Sequence, residues 1–112
     1  MSARTQAALW VAQRASAAVL ALCVVVHLAT LIYAVRGGLT AAEILGRTRG
    51  NATWLVFYAV FVLAVCVHVP IGLRAPLGEW LGWRGASREW ALAGFALLLL
   101  FLGLRAVLAV FL

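Results

Sequence analysis

The segment FVLAVCVHVPIGLR, residues 61–74, decides which class of fold the chain can adopt. It is an apolar run that holds one histidine, His68, and closes with a proline, a glycine and Arg74. An ionisable side chain inside a membrane-spanning helix is costly and usually faces the protein interior. The segment therefore predicts a transmembrane helix with a functional histidine near one end.

The composition of the whole chain also indicates a membrane protein. Hydrophobic residues make up 67% of its 112 residues and charged residues only 11%, whereas a soluble domain has about 45–50% and about 25%. A soluble chain this short could not bury so much apolar surface. We expect an all-α membrane protein with three transmembrane helices and a short interfacial helix between the first and the second.

Three apolar runs define the expected spans, because crossing the bilayer core takes about 20 residues. The chain is expected to form a single transmembrane domain, residues 1–112, with spans at about residues 15–35, 52–73 and 90–112. The start of the chain has no small-residue cleavage site after a short apolar run, so we expect the first span to be retained.

The two connections between the spans carry different signals. Thr40 and Glu43 have the spacing of a capping box, which predicts a short helix over about residues 41–45 at the membrane surface. Residues 74–89 contain several glycines and a proline, and these helix breakers predict a second interfacial connection.

Four small residues inside the spans are predicted to serve packing. Cys23 and Cys66 lie in different spans, which favours buried thiols over a disulfide or a metal pair. Gly94 and Gly103 in the third span are expected to allow close helix packing. Because the chain has no C-x-x-C-H sequence, any haem would be bound non-covalently.

The charged residues favour a membrane surface over a nucleic-acid partner. All nine basic residues are arginine, three residues are acidic, and the net charge is +6. The arginines lie at the ends of apolar runs rather than in one patch, which suits lipid headgroups or an anionic cofactor. Five arginines fall on the side of the N-terminus and four on the other, which favours a cytoplasmic N-terminus by one charge.

A second histidine, His27, lies in the first span. At 100° per residue it shares a helix face with several small or polar residues, including Ser16, Cys23 and Thr30. Bulky side chains point elsewhere. A face of this kind predicts packing against other helices or against a flat cofactor.

The helix face around His68 is also free of bulk. Ala64 and Gly72 stand four residues to either side of it, which predicts room for a porphyrin beside the imidazole. Pro70 removes one backbone hydrogen bond and predicts a kink close to the histidine. These neighbours favour a ligand site at His68 over a packing role.

The two histidines are expected to lie at different depths. Measured from the centres of their spans at about 1.5 Å per residue, they are separated by roughly 10 Å or more along the membrane normal. The two axial ligands of one haem iron cannot be so far apart. If both bind haem, they bind different haems, and each needs a partner histidine from elsewhere. Alternatively each is a packing residue that is hydrogen-bonded to a neighbouring helix.

Two short motifs carry a resemblance to a known family. QRASA at residues 13–17 opens the first span, and HVPIGLR at residues 68–74 closes the second and is followed by Glu79 and Trp80. In this order and spacing the chain resembles the membrane-anchor cytochrome b subunits of succinate dehydrogenase and fumarate reductase. The motifs cover about residues 10–83, and the three-helix layout extends the resemblance over the chain.

The resemblance implies roles for five residues. His68 matches the axial haem b ligand, and Arg14 and Ser16 match an arginine and a nearby hydroxyl of the quinone pocket. Glu79 and Trp80 stand where the family has an acidic residue and a quinone-bonding tyrosine. The tryptophan departs from that pattern, because an indole N–H can donate a hydrogen bond but cannot supply a proton as a phenol does.

The resemblance also implies cofactors and partners. His27 matches the first-helix histidine of diheme anchors, which implies two haem b groups per assembled anchor with His68 and His27 as iron ligands. Arg74, and less directly Arg105, would pair with haem propionates. The implied partners are a flavoprotein subunit, an iron–sulfur subunit, membrane lipid, quinone, and a second anchor chain that is either another copy or a paralogous subunit.

The implied function is a haem b-binding membrane anchor of a succinate:quinone or quinol:fumarate oxidoreductase in a bacterial inner membrane. The anchor would perform no dicarboxylate chemistry itself. Two other classes remain open. One is a haem-free scaffolding subunit of a membrane complex. The other is a small dimeric transporter, which would be expected to carry an acidic residue in a span, and none is present.

Overall fold

The computed structural model describes residues 1–112 and is helical along most of the chain. Three helices are long and apolar enough to cross a membrane, and a short helix lies between the first and the second. The predicted fold class is therefore confirmed. In chain order the helices are α1 (Ala3–Gly37), α2 (Ala41–Thr48), α3 (Ala52–Leu81) and α4 (Ala86–Phe111).

Side-chain caps determine where three of the helices begin. Ser2 accepts a hydrogen bond from the N–H of Thr5 at the start of α1, and Asn51 accepts from two backbone N–H groups at the start of α3. At the start of α2, Thr40 and Glu43 form both arms of the predicted capping box. These caps satisfy N–H groups that the first turn of a helix leaves without partners.

The turn between α1 and α2 depends on Gly38. Its φ of 118° lies in a region that strains any residue with a side chain. A Cβ atom at this position would also overlap the carboxylate of Glu43. The N–H of Gly38 donates to the carbonyl of Ala34 at 2.8 Å and so completes the end of α1. Glycine is therefore required for the chain to turn directly from α1 into α2.

Helix α3 continues further than the sequence predicted. It runs through Pro70 and Pro76 to Leu81, so the connection shrinks from residues 74–89 to a turn of residues 82–85. A proline removes its own N–H from the hydrogen-bond ladder, but the helix can continue where other groups stabilise the turns around it.

Arginines that follow α3 stabilise its last turns. Arg84 donates from Nη2 to the carbonyl of Gly78 at 3.0 Å, and Arg88 donates from Nη1 to the carbonyl of Arg74 at 3.1 Å. Gly82 then ends the helix in the left-handed conformation, with φ of 66°. Because the two donors lie beyond the helix itself, the local sequence of residues 74–81 did not reveal them.

Helix α3 is the central element and packs against both α1 and α4, while α2 contacts α4. Two hydrogen bonds join the end of α4 to the corner between α2 and α3. Thr48 donates from Oγ1 to the carbonyl of Val110 at 2.8 Å, and the N–H of Gly50 donates to the carbonyl of Phe111 at 2.8 Å. These contacts fix the position of the short helix relative to the long ones.

The two glycines of α4 have different surroundings. A Cβ atom on Gly103 would come within 2.6 Å of Cγ1 of Val62, so the glycine allows α3 and α4 to approach closely. A Cβ atom on Gly94 would meet nothing within 4 Å. The predicted close packing is confirmed at Gly103 and wrong at Gly94, because Gly94 is exposed and faces away from the helix contact.

Very few side chains are covered within the chain. Only 7 of 112 residues are buried, so lipid or other chains must cover most of the apolar helix surface. In α1 the buried residues are Ser16 and Cys23, which confirms the predicted inward face. Cys23 is buried, as predicted, whereas Cys66 is only half-buried, because the part of α3 that carries it is not fully covered within the chain.

Candidate functional site

Helix α3 places His68 against α1, where its imidazole is half-buried. Its Nδ1 lies 3.3 Å from Oγ of Ser16, a residue that is only 6% exposed. The hydroxyl of Ser16 also donates to the carbonyl of Gln13 at 3.0 Å, about one turn earlier in α1. The serine therefore bridges the backbone of α1 and the imidazole of α3.

The contact to Ser16 engages one of the two nitrogens of the imidazole and leaves the other without a partner in the chain. A hydroxyl group has one hydrogen and two lone pairs. When Ser16 donates to Gln13, it can only accept from His68, and this arrangement corresponds to the tautomer with the hydrogen on Nδ1 and the lone pair on Nε2. A neutral imidazole with one unprotonated ring nitrogen is a common metal ligand.

The space around His68 differs from the prediction. A Cβ atom on Gly72 would lie 3.0 Å from Nε2 of Gln13, so the Gln13 side chain fills the space that was predicted for a porphyrin on that side. The Oε1 of Gln13 is buried and has no hydrogen-bond partner. Ala64 and Ser16 line a cavity of about 360 Å³, but His68 itself is not part of its lining. The glycine accommodates a side chain of α1 instead of leaving a gap.

His27 lies at another level of the α1–α3 contact. Its Nδ1 is 3.3 Å from the hydroxyl of Tyr58, and the rings of Tyr58 and Phe61 meet the imidazole edge to face, each at a centroid distance of 5.7 Å. Two cavities of about 610 Å³ each border the histidine, one reaching Arg47 and the other reaching Gly103. Both volumes fall in the range of small-molecule sites, about 300–1,000 Å³.

The structure separates the two histidines along the helices. Ser16 faces His68 and His27 faces Tyr58 across the same antiparallel helix pair. Tyr58 and His68 are ten residues apart in α3, which corresponds to about 15 Å at the helical rise. The two imidazoles cannot bind the same iron. The predicted difference in depth is therefore confirmed.

The remaining residues that the resemblance assigned to quinone do not meet at one point. Arg14 is exposed, and its guanidinium carbon lies 5.5 Å from the centre of the Trp10 ring. Glu79 and Trp80 are exposed near the end of α3, and no ion pair involves Glu79. The register of α1 against α3 places Arg14 about 12 Å from Glu79 along the helix.

Arg74 belongs to an ion-pair cluster at the turn between α3 and α4. Its Nη1 donates to Oε2 of Glu89 at 2.7 Å, and Arg88 donates from Nη2 to the other carboxylate oxygen at 2.8 Å. Because two arginines share one carboxylate, the cluster keeps a positive charge. Arg105, by contrast, is exposed in α4 and forms no ion pair.

A family model described as the succinate dehydrogenase/fumarate reductase transmembrane subunit matches residues 1–110. The chain belongs to this family. No curated protein and no solved structure matches it. Together with the three apolar helices, the match makes the protein a multi-pass membrane subunit with an anchor role in the succinate dehydrogenase/fumarate reductase complex. The family resemblance in the sequence motifs is confirmed.

The residues of this transmembrane subunit fit the haem b that the resemblance implies. No group of three or more His, Cys, Asp or Glu side chains could hold a bare metal ion, whereas a haem iron takes only its axial ligands from the protein. Nδ1 of His68 contacts Ser16 and Nδ1 of His27 contacts Tyr58, whereas Nε2 of each imidazole has no hydrogen-bond partner in the chain. The unpartnered Oε1 of Gln13 belongs to the same contact between α1 and α3.

Three residues near these sites were not assigned a site role from the sequence of the anchor subunit. Gln13 opens one of the family motifs, but its contact with α3 depends on how α1 and α3 pair. Tyr58 suits a membrane interface by its residue type, yet antiparallel pairing of the first two spans places it opposite His27. Glu89 is the only acidic residue of α4.

Proposed function

We propose that this anchor subunit binds haem b and passes electrons between an iron–sulfur subunit and membrane quinone. The complex would be a succinate:quinone or quinol:fumarate oxidoreductase, with the dicarboxylate chemistry in a flavoprotein subunit. The observation that carries the proposal is the His68–Ser16 pair, which engages Nδ1 and leaves Nε2 of the histidine without a hydrogen-bond partner within a spanning helix. Membership of the transmembrane-subunit family supports it.

Bound haem would supply a one-electron carrier inside the membrane. His68 would hold one iron through Nε2, and His27 would hold a second iron at the other level. This chain has a single histidine at each level. A second anchor chain, either another copy or a paralogous subunit, would therefore supply a further histidine at each level, and the assembled anchor would hold two haems.

Arginines would neutralise the carboxylates of the cofactor. Arg74 follows His68 by six residues in α3, about 9 Å along the helix, and is the better placed to pair with a propionate. Arg105 is the second candidate. A guanidinium suits this role because it can donate two parallel hydrogen bonds to one carboxylate. The positive charge that remains after Glu89 is shared with Arg88 favours such a pairing.

Quinone would bind at the end of the molecule that holds the N-terminus and the α3–α4 turn. Arg14 and the indole N–H of Trp80 could donate hydrogen bonds to its carbonyl oxygens, and Glu79 could accept a proton. All three residues are exposed in the isolated chain. The pocket would therefore form only where the iron–sulfur subunit or a second anchor covers them. This end would face the cytoplasm of a bacterium.

The haem content of the purified complex tests the proposal. His68→Ala should remove one haem while the subunits still assemble, and His27→Ala should remove a second, spectrally distinct haem. Cys66→Ala is a matched control, because the thiol is half-buried in the same helix and forms no disulfide. It should keep all the haem in a reduced-minus-oxidised spectrum. Full haem content in His68→Ala would contradict the proposal.

A second candidate function is a haem-free scaffolding subunit. It is favoured by the hydrogen bonds that both imidazoles already make within the chain, His68 to Ser16 and His27 to Tyr58, as packing histidines would. This alternative requires that the wild-type complex show no b-type spectrum. It also requires that quinone reductase activity survive replacement of both histidines.

A further inference from the structure

The hydroxyl of Ser16 is already engaged by two partners within the chain. The residue is 6% exposed, and its Oγ lies 3.0 Å from the carbonyl oxygen of Gln13 and 3.3 Å from Nδ1 of His68. A quinone carbonyl accepts hydrogen bonds and does not donate them. Ser16 could bind such a carbonyl only by breaking its bond to Gln13. The geometry therefore argues against the quinone-pocket role that the resemblance implies for Ser16.

We propose instead that Ser16 is a positioning residue for the haem iron and acts through His68. This inference rests on the proposed function, in which His68 is an axial ligand. By accepting from Nδ1–H, the hydroxyl would fix both the tautomer and the orientation of the ring, so that Nε2 presents its lone pair. Hydrogen-bond partners of metal-bound histidines commonly have this effect.

The same hydrogen bond would alter the electronic character of the ligand. An imidazole that donates its N–H to an oxygen becomes a more basic ligand through its other nitrogen. A more basic ligand stabilises ferric over ferrous iron and so lowers the reduction potential of the haem. Iron binding also makes Nδ1–H a stronger donor. We therefore expect the 3.3 Å contact between Ser16 and His68 to shorten in the haem-bound protein.

The experiment is a redox titration of the assembled complex, with the relevant haem assigned by its absence in His68→Ala. Ser16→Ala should shift the ferric–ferrous equilibrium about tenfold toward the ferrous form, which raises the midpoint potential by about 59 mV for one electron. Ser16→Thr keeps the hydroxyl, and the cavity of about 360 Å³ beside Ser16 has space for the added methyl group. The midpoint potential of the haem in Ser16→Thr should therefore equal that of the wild type.

Thr30→Ala is the matched control. The Oγ1 of Thr30 also donates to a carbonyl three residues earlier in α1, at 2.7 Å, but it hydrogen-bonds no imidazole. This variant removes a backbone contact of the same type, to the carbonyl of His27, and should leave the potential of the His68 haem unchanged. A shift equal to that of Ser16→Ala would show that the effect is not specific to the bond between Ser16 and His68, and it would overturn the role of Ser16.

The possible outcomes separate this inference from the proposed function. An unchanged potential in Ser16→Ala, with haem bound, would overturn the role of Ser16 and leave His68 as a ligand. Retention of all haem in His68→Ala would overturn the proposed function itself. If Ser16→Ala loses the haem, the haem content of Ser16→Thr tests the role of the hydroxyl. Bound haem in Ser16→Thr would support that role, and loss of haem from both variants would overturn it.

Discussion

Thr40 and Glu43 show what a local pattern predicts at the scale of single residues. Their spacing specifies a capping box without reference to the rest of the chain, and the structure contains both arms of it. The side chain of Gln13 that fills the space beside Gly72 is a different case. These two residues meet only because α1 and α3 pair in one register, and nothing in the sequence around either of them specifies that register.

The capping box should make the first turn of α2 sensitive to acid. The backbone N–H of Thr40 and, with a smaller effect, its hydroxyl donate hydrogen bonds to the carboxylate of Glu43. Both bonds lower the pKa of this carboxyl group below its ordinary value of 4.5. A carboxyl group whose pKa is lower in the folded state than in the unfolded state stabilises the fold at a pH above its unfolded-state pKa. This stabilisation is lost as the pH falls through the folded-state pKa. We expect amide-exchange protection in α2 to stay constant down to about pH 5 and to decrease below pH 4.5.

Glu43→Gln is the control for this acid sensitivity. A neutral amide can still accept the hydrogen bonds of Thr40, but it does not titrate in this range. Protection in the variant should therefore be independent of pH over the same interval. A loss of protection in Glu43→Gln as steep as in the wild type would show that another group causes it.

At the scale of elements, the sequence predicted the number and order of the helices but not their ends. The bilayer requires about 20 apolar residues for each span, so the three runs are visible in composition alone. The end of α3 depends instead on hydrogen bonds from Arg84 and Arg88 to its last turns. Those donors come from the turn and the next helix. Within residues 74–81 themselves, Pro76 and Gly78 suggested an earlier end.

Gly103→Ala tests the contact between α3 and α4. The added methyl group would lie 2.6 Å from Cγ1 of Val62, so the helices must separate or the valine must move. Overpacking of this kind costs about 1–3 kcal/mol. We expect a lower melting temperature for the detergent-solubilised complex, and we expect Val62→Ala in the same chain to recover part of the loss.

Gly94→Ala is the matched control in the same helix. A Cβ atom there meets nothing within 4 Å, and alanine is a better helix former than glycine by about 1 kcal/mol. The melting temperature should therefore stay equal or rise slightly. Equal losses in the two glycine variants would show that the α3–α4 approach at Gly103 does not contribute to stability.

At the scale of the whole molecule, the chain is one part of a larger assembly. Each level of the α1–α3 contact offers a single histidine, and only 7 of 112 residues are buried. The sequence predicted the need for a second chain from the histidines. It could not predict where that chain packs, because a helix surface that contacts another helix in the membrane is about as apolar as one that contacts lipid.

The number of anchor chains in a haem-bearing particle tests this requirement. Haem should be retained only in particles that contain two anchor chains, because in the proposed function His68 and His27 would each supply a single nitrogen ligand at their level. Native mass spectrometry of the detergent-released complex should find either two copies of this chain or one copy with a second multi-span subunit.

If the complex contains two copies, particles that combine a wild-type and a His68→Ala chain provide a second test. They should lose two-histidine ligation at the level of His68 and change from a low-spin to a high-spin spectrum. A particle with one anchor chain and low-spin haem would contradict the requirement, because no other histidine of this chain can reach the same iron.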